Sequence, residues 1–164
     1  WITSGGLGTM GFEVPAAMGA AFARPGEAIW SIAGDGGFQM TMSELATIVE
    51  HNVPVKFAIL NNNSLGLVRQ LQDLFYDQNR VSVAYSGNPD LVKLAEAYGI
   101  WATRITQQDQ VRYAIEQAMD VDGPALLDFN VEPEENVYPH VPAGGSVAEM
   151  LEGPTGQEAP VWLR

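Results

Sequence analysis

The sequence predicts an α/β fold: a three-layer α/β/α sandwich around a mostly parallel sheet, followed by an irregular C-terminal arm. Three observations carry this. Short apolar runs alternate with segments of helical periodicity, the pattern of a parallel sheet covered on both faces. One strand–helix–strand unit, from Ala28 to Asn62, is complete enough to be recognised by itself. A length of 164 residues with 46% hydrophobic content suits one domain with a full core.

The elements follow in order. Residues 3–11, TSGGLGTMG, form a glycine-rich loop. Residues 12–23 predict a helix with Val14, Ala17, Met18 and Ala21 on one face and Pro15 in its first turn. Arg24-Pro25-Gly26 ends it, and Ala28 to Ala33 is a short strand stopped by Gly34. TMSELATIVEHN predicts a helix, with Met42, Leu45, Ala46 and Val49 at i, i+3, i+4 and i+7. Thr41 and Glu44 fit a capping box at its start, so Glu44 reads as a cap and not as a catalytic acid. His51 sits in the last turn, where a cation is favoured structurally. Val55 to Leu60 is the second strand. Such a unit makes the two strands parallel with a right-handed crossover.

LGLVRQLQDLFYDQNR predicts another helix, with Leu67, Val68, Leu71, Leu74 and Phe75 along one face, a core stripe on the plainest reading. VSVAYSGNPD is a loop whose end, Asn88-Pro89-Asp90, predicts a helix start with Asn88 as cap and Pro89 as first residue. Leu91, Leu94, Ala95 and Tyr98 face inward, and Gly99 stops the helix. Ile100 to Ile105 is a strand. Residues 108–120 are a helix with Val111, Ala114, Ile115, Ala118 and Met119 inward, and Ala125 to Val131 is the last strand. Asp128 within it must lie at the sheet's end or be paired. From Glu132 the composition shifts to Pro133, Pro139, Pro142, Pro154 and Pro160 among glycine and glutamate. The domain division is therefore 1–131 for the α/β domain and 132–164 for the arm.

The net charge of −12 argues against nucleic acid or an anionic membrane as partner. With eight lysines and arginines in all, a bound diphosphate would need a metal and backbone amides. There is no cysteine, hence no disulfide and no thiolate chemistry. With neither a spanning apolar run nor a signal peptide, the expected location is cytoplasmic. The two histidines have no zinc-protease spacing. Gly6-x-Gly8-x-x-Gly11 matches the dinucleotide fingerprint formally, but only Trp1-Ile2-Thr3 precedes it and Glu27 comes 16 residues after Gly11, so it is discounted.

The chemistry concentrates at the two strand ends. Asp35, between glycines, and Asn62 lie 27 positions apart, each just past its own strand. If the strands are neighbours, carboxylate and amide meet at the edge where open α/β sheets bind ligands. Both are hard oxygen ligands, suited to magnesium or calcium. Magnesium keeps positions for substrate phosphates, and Gly36 and Gly37 let N–H groups approach a phosphate closely. The segment is thus a candidate magnesium-diphosphate clamp.

Gly34-Asp35-Gly36 followed by Asn61-Asn62 at this spacing resembles the thiamin diphosphate motif. From ITSGGLGTMGFEVPAAMGAA to YPHVPAGGS, the chain resembles the C-terminal cofactor domain of the acetolactate synthase (acetohydroxyacid synthase) large catalytic subunit. That resemblance implies the thiamin diphosphate-binding fold and a reaction in which pyruvate is decarboxylated and its two-carbon unit joined to a second 2-ketoacid, in branched-chain amino-acid biosynthesis. It implies Asp35, Asn62 and the main-chain carbonyl of Ser64 as magnesium ligands. Gly8, Thr9, Met10, Gly36, Gly37, Asn63, Leu65, Gly66 and Leu67 would complete the cofactor site, Met10 lying under the thiamin rings; a core methionine is its alternative role. Leu67 and Leu71 would line the substrate channel. Relatives carry tryptophan at Leu71, so the second ketoacid is left open; they often carry methionine at Leu67 and at His140. The arm would fold over the site.

No residue here supplies the acid–base glutamate, which the resemblance puts on a different domain of a neighbouring subunit. The chain is therefore expected to be a fragment of a longer one, binding cofactor weakly and inactive alone. The resemblance further implies FAD in the full-length enzyme, a homo-oligomer of at least two subunits and a possible regulatory subunit. The alternatives are another thiamin-dependent decarboxylase or carboligase, a non-catalytic domain keeping the site, and, third, a nicotinamide-binding domain.

Overall fold

The computed structural model describes residues 1–154; the end of the predicted arm, 155–164 with Pro160, lies outside the described residues. Its centre is a sheet of four parallel strands: β1 (Ile29–Gly34), β2 (Val55–Asn61), β3 (Trp101–Ile105) and β4 (Ala125–Asn130), in the order β1-β2-β4-β3. The helices are α1 (Glu13–Ala23), α2 (Asp35–Thr41), α3 (Leu45–Glu50), α4 (Gly66–Phe75), α5 (Leu91–Ala97) and α6 (Val111–Asp120). Among the described residues no helix is long and apolar enough to cross a membrane.

Alternation along the strands makes two faces. Ala33, Val55, Phe57, Ile59 and Leu126 point to one, where Val14, Ala17 and Ala21 of α1, Phe38 of α2, Leu45 and Ile48 of α3, and Leu91 and Ala95 of α5 share their core. Phe38 and Phe57 meet edge to face at 5.9 Å. The other face is thinner: Ala114 and Ala118 of α6 pack on Ile105, Ala125 and Leu127. Over β1 and β2 it is open, leaving Ile32 and Leu60 52% and 45% exposed. Lys56, buried on this face, donates to the carbonyls of Val121 and Gly123 at 2.8 and 2.6 Å and ties β2 to the turn before β4. Burial pushes its ammonium pKa down, against the opposing charge of Asp122.

Several local expectations needed correction. The crossover helix does not wait for Thr41 but starts at Asp35, straight off β1, and a 3-10 turn at Met42–Glu44 leads into α3. No capping box forms there: the Thr41 hydroxyl donates instead to the Gly11 carbonyl, 2.9 Å away. The buried face of α3 is Leu45 and Ile48, with Val49 turned outward. The α5 cap is Asp90 and not Asn88; its carboxylate accepts from the N–H groups of Val92 and Lys93. That places Pro89 before the helix and frees Asn88 for other contacts. Met119 of α6 is exposed.

The stripe on α4 is reversed. Leu67, Val68, Leu71 and Phe75 are exposed, while Arg69 and Gln70 are buried. Periodicity had identified an apolar face but not what it meets. The buried polar face holds the arm. Gln70 exchanges two hydrogen bonds with the main chain of Val137, at 2.9 and 2.8 Å, and Arg69 donates to the Glu135 carbonyl and the Asn136 side chain at 2.9 and 2.8 Å. Arg80 forks to Asp73 and Glu134, which holds both carboxyls below their usual range. Further along, His140 and Leu151 pair their main chains, and the His140 ring lies 6.0 Å from Phe75.

Candidate functional site

The parallel register Gly34↔Leu60 puts the next residues of both strands side by side at the C-terminal edge of the sheet. Asp35 opens α2 there, and Asn61 ends β2. The Asp35 carboxylate is only 1% exposed, yet it takes part in no ion pair among the described residues. Burial raises its pKa, opposed first by a hydrogen bond from Asn88 and then by the main-chain N–H groups of Asp35, Gly36 and Asn62. A buried carboxylate without a counter-ion is costly, and a cation is what relieves it.

Asn88 links it to two further asparagines. Asn88 Nδ2 lies 2.8 Å from Asp35 Oδ2, 2.9 Å from Asn63 Oδ1 and 3.3 Å from Asn61 Oδ1. Gln39 Nε2 donates to Asn88 Oδ1 at 2.8 Å and to the Asp35 carbonyl at 3.2 Å. Asn62 turns its Oδ1 to the N–H of Ser64, 3.0 Å away, an Asx turn that shapes the loop after β2. Asn63 takes a positive φ of 53°, a conformation asparagine tolerates. The Ser64 hydroxyl donates to the Val83 carbonyl at 3.0 Å, which turns the side chain toward that stretch of loop. No group of three His, Cys, Asp or Glu side chains gathers among the described residues. The donor set is one carboxylate plus amide and carbonyl oxygens, which suits a hard divalent ion that keeps water or phosphate ligands.

Beside Asp35 the backbone of Gly36 is approached closely. A Cβ there would lie 2.8 Å from Met10 Cε and 3.2 Å from Leu65 Cδ2, and would collide with the Tyr85 hydroxyl. Met10 and Leu65, remote in sequence, thus converge on the glycine next to the acid. At Gly37 a Cβ would collide with the Glu13 carboxylate, and at Gly66 it would lie 2.6 Å from Asn62 Nδ2. At these glycines neighbouring side chains already take the space that a Cβ would need.

The predicted residues do not all share one hollow. Asn62, Asn63 and Ser64 line a cavity of about 410 Å³ with Tyr85 and, from the arm, Pro133 and Glu134. Gly8 and Thr9 line a separate one of about 470 Å³ with the N-terminal residues, α1 and the free edge of β1. Met10 lies between the two groups through its contact with Gly36. Leu67 and Leu71 are 62% and 39% exposed along α4.

Sequence reasoning missed Tyr85, Asn88 and Gln39. Asn88 has the composition of a helix cap, but its position two residues before the true cap, Asp90, is the signal that frees it for the site. Tyr85 arrives because its N–H donates to the Asn63 carbonyl at 3.0 Å and Ser64 bridges Ala84. Its phenol pKa is raised by burial and then by the Asp35 charge.

Comparison with known proteins bears on this geometry. The family model for the C-terminal TPP binding domain of thiamine pyrophosphate enzymes matches residues 1–129. Acetolactate synthase 2 of Nicotiana tabacum, a chloroplastic protein, is 47% identical over 92% of this chain and 24% of its own length. The acetolactate synthase isozyme 2 large subunit of Escherichia coli is 46% identical over 93% of this chain and 28% of its own. The solved structure of the Rhodococcus jostii thiamine diphosphate-dependent 4-hydroxybenzoylformate decarboxylase superposes with a TM-score of 0.70 and 28% identity, over 77% of this chain and 24% of that one. The chain spans about a quarter of the length of these relatives.

Proposed function

Since the chain belongs to the thiamine pyrophosphate enzymes, whose C-terminal TPP-binding domain it carries, we propose that it is the cofactor-binding part of a magnesium-dependent acetolactate synthase. That enzyme decarboxylates pyruvate and joins the two-carbon unit to a second 2-ketoacid, a step of branched-chain amino-acid biosynthesis. The observation that carries the reading is the buried Asp35 carboxylate, held by the Asn88 amide and paired to no cationic side chain among the described residues. Relatives at 46–47% identity that bear the name acetolactate synthase support the choice of reaction.

In this reading Asp35, Asn62 Oδ1 and the Ser64 carbonyl hold magnesium. Having no side chains of their own, Gly36 and Gly37 let the start of α2 pack against Tyr85, Met10, Leu65 and Glu13 beside Asp35, and in this reading the main chain there meets phosphate. Thiamin diphosphate, when bound, supplies the electron sink for loss of carbon dioxide. Met10, with Gly8 and Thr9 before it, would support the thiamin rings, and Leu65 and Gly66 would complete the site around them. Leu67 and Leu71 present the exposed face of α4 to substrate, and the arm, clamped by Arg69 and Gln70, screens the site from water. The chain offers no acid–base residue of its own for this role; a glutamate from another domain supplies it. FAD, a homo-oligomer of at least two subunits, a regulatory subunit and a cytoplasmic location belong to the same proposal for the full-length enzyme.

Thermal unfolding tests the site. Magnesium and thiamin diphosphate together, at about a hundredfold their dissociation constant, are expected to raise the melting temperature by roughly 5 °C or more, and neither alone to do so. NAD protecting in their place would refute the reading. A second reading, a thiamin-dependent decarboxylase, is favoured by Leu71, where bulk would select the acceptor, and by the structural likeness to a decarboxylase. In the full-length enzyme, Leu71→Trp is expected to raise the preference for 2-ketobutyrate over pyruvate as acceptor about fivefold or more, a size typical for one changed pocket contact. An unchanged product ratio in mixed-substrate competition, or carbon dioxide release without carboligation, would favour the decarboxylase.

A further inference from the structure

We propose that Asn88 is a positioning residue: it holds Asp35 as a one-oxygen ligand and so fits the site to magnesium in preference to calcium. The inference rests on the cofactor reading above and adds to it a determinant of metal choice. Asn88 Nδ2 carries two hydrogens and faces three oxygens, of Asp35, Asn63 and Asn61, at 2.8, 2.9 and 3.3 Å. With an amide hydrogen on Oδ2 of Asp35, that oxygen is the poorer ligand and Oδ1 the favoured one for an ion.

The amide cannot turn over freely, because Gln39 donates to its oxygen at 2.8 Å. Nor can the turn drift. Two residues on, Asp90 accepts from Arg104 at 2.7 Å; Arg104 also donates to Asp128 at 2.9 Å; and Asn61 donates to the other oxygen of Asp128 at 2.9 Å. A chain of side-chain bonds therefore runs from Asn88 through Asn61, Asp128 and Arg104 to Asp90, and the main chain from Asp90 back to Asn88 closes it. It joins the C-terminal ends of β2, β3 and β4 beneath the acid that follows β1.

The consequence is chemical. Magnesium demands near-octahedral coordination and accepts one oxygen from each carboxylate readily. Calcium takes six to eight oxygens and gains from a carboxylate that binds through both. Residues that orient a ligand from behind are commonly worth about 10–100-fold in metal affinity.

The test uses the protein at full length, with thiamin diphosphate fixed and magnesium or calcium titrated, read by protection against thermal unfolding. Asn88→Ala is expected to raise the half-saturating magnesium concentration about tenfold and that for calcium by less than about threefold. Gln39→Leu is expected to move the same ratio in the same direction by a smaller factor. If Asn88→Ala does not fold, the ratio in Gln39→Leu decides. A magnesium-to-calcium ratio within twofold of the unsubstituted protein overturns the proposal, even if the metal-free melting temperature falls, because a purely structural role would lower stability alone. An unsubstituted protein that ignores both metals overturns the cofactor reading and this one with it.

Discussion

Asp35→Asn is expected to abolish magnesium-dependent binding of thiamin diphosphate, by roughly a hundredfold or more in affinity, while leaving the metal-free protein at least as stable at neutral pH. The first effect follows from charge: Asp35 is the one carboxylate of the proposed donor set, and affinity for hard cations scales with ligand charge. The second follows from burial. At 1% exposure and with no ion pair among the described residues, the ionised carboxyl is a cost to the metal-free fold, as its raised pKa records. Between the ordinary value of 3.8 and the raised one the native state holds more protons than the unfolded state. Stability of the metal-free protein therefore declines as pH rises through that window, and the Asn variant, with nothing to titrate, escapes the decline. Magnesium binding runs the other way: protons compete for the same oxygen, so binding weakens on acidification at a pH above 3.8. Denaturant unfolding of both proteins across this range, with and without magnesium and cofactor, checks each part. A variant that binds the cofactor normally, or that unfolds at neutral pH where the parent is stable, would contradict the account.

Arg104→Met is expected to cost about 2 kcal/mol, or roughly 4–8 °C in melting temperature for a chain of this size. Asp128 is fully buried in the middle of the sheet edge, and Arg104 is its ionic partner, at 2.9 Å. Without Arg104 the carboxylate keeps, among the described residues, the side-chain amide of Asn61, also at 2.9 Å. Stripping one partner from a buried pair costs about 3–5 kcal/mol, and the lower figure here reflects an arginine that is 38% exposed and already partly hydrated. The same substitution unlinks Asp90 and with it the start of α5. A compensating change separates the two contributions: adding Asp128→Asn removes the orphaned charge and should recover about half of the loss. Urea unfolding of the single and double variants measures this, and a single variant within 0.5 kcal/mol of the parent, taken as roughly the limit for surface substitutions, would show that solvent reaches Asp128 more easily than its burial implies.

Some of this was written plainly in the chain. The apolar runs before Gly34 and Asn62 and the helical spacing between them fix a parallel pair, and a parallel pair with these lengths brings Asp35 beside Asn61 and Asn62 at one edge. The inward faces of α1 and α5 were equally readable, because Val14, Ala17 and Ala21, or Leu91 and Ala95, repeat with the helical period and bury where that period points. Helix starts were less so. Glycine after Asp35 weakens helix propensity, yet packing of Phe38 against Phe57 carries the helix through Gly36 and Gly37 regardless. Thr41 and Glu44 had the composition of a cap but not its bonds, since the Gly11 carbonyl claimed the threonine hydroxyl.

The sequence by itself determined the fold class, the strand-end acid and amide, and the glycines beside them, because each is written in spacing over a few tens of residues. Only the tertiary structure decided that Asn88, 53 residues after Asp35, closes on its carboxylate. It also decided that α4 buries Arg69 and Gln70 and shows Leu67 and Leu71 to the outside. Local periodicity states that a helix has two faces; which face is buried depends on the partners that chain folding brings to it, and here the partner is the polar main chain of the arm.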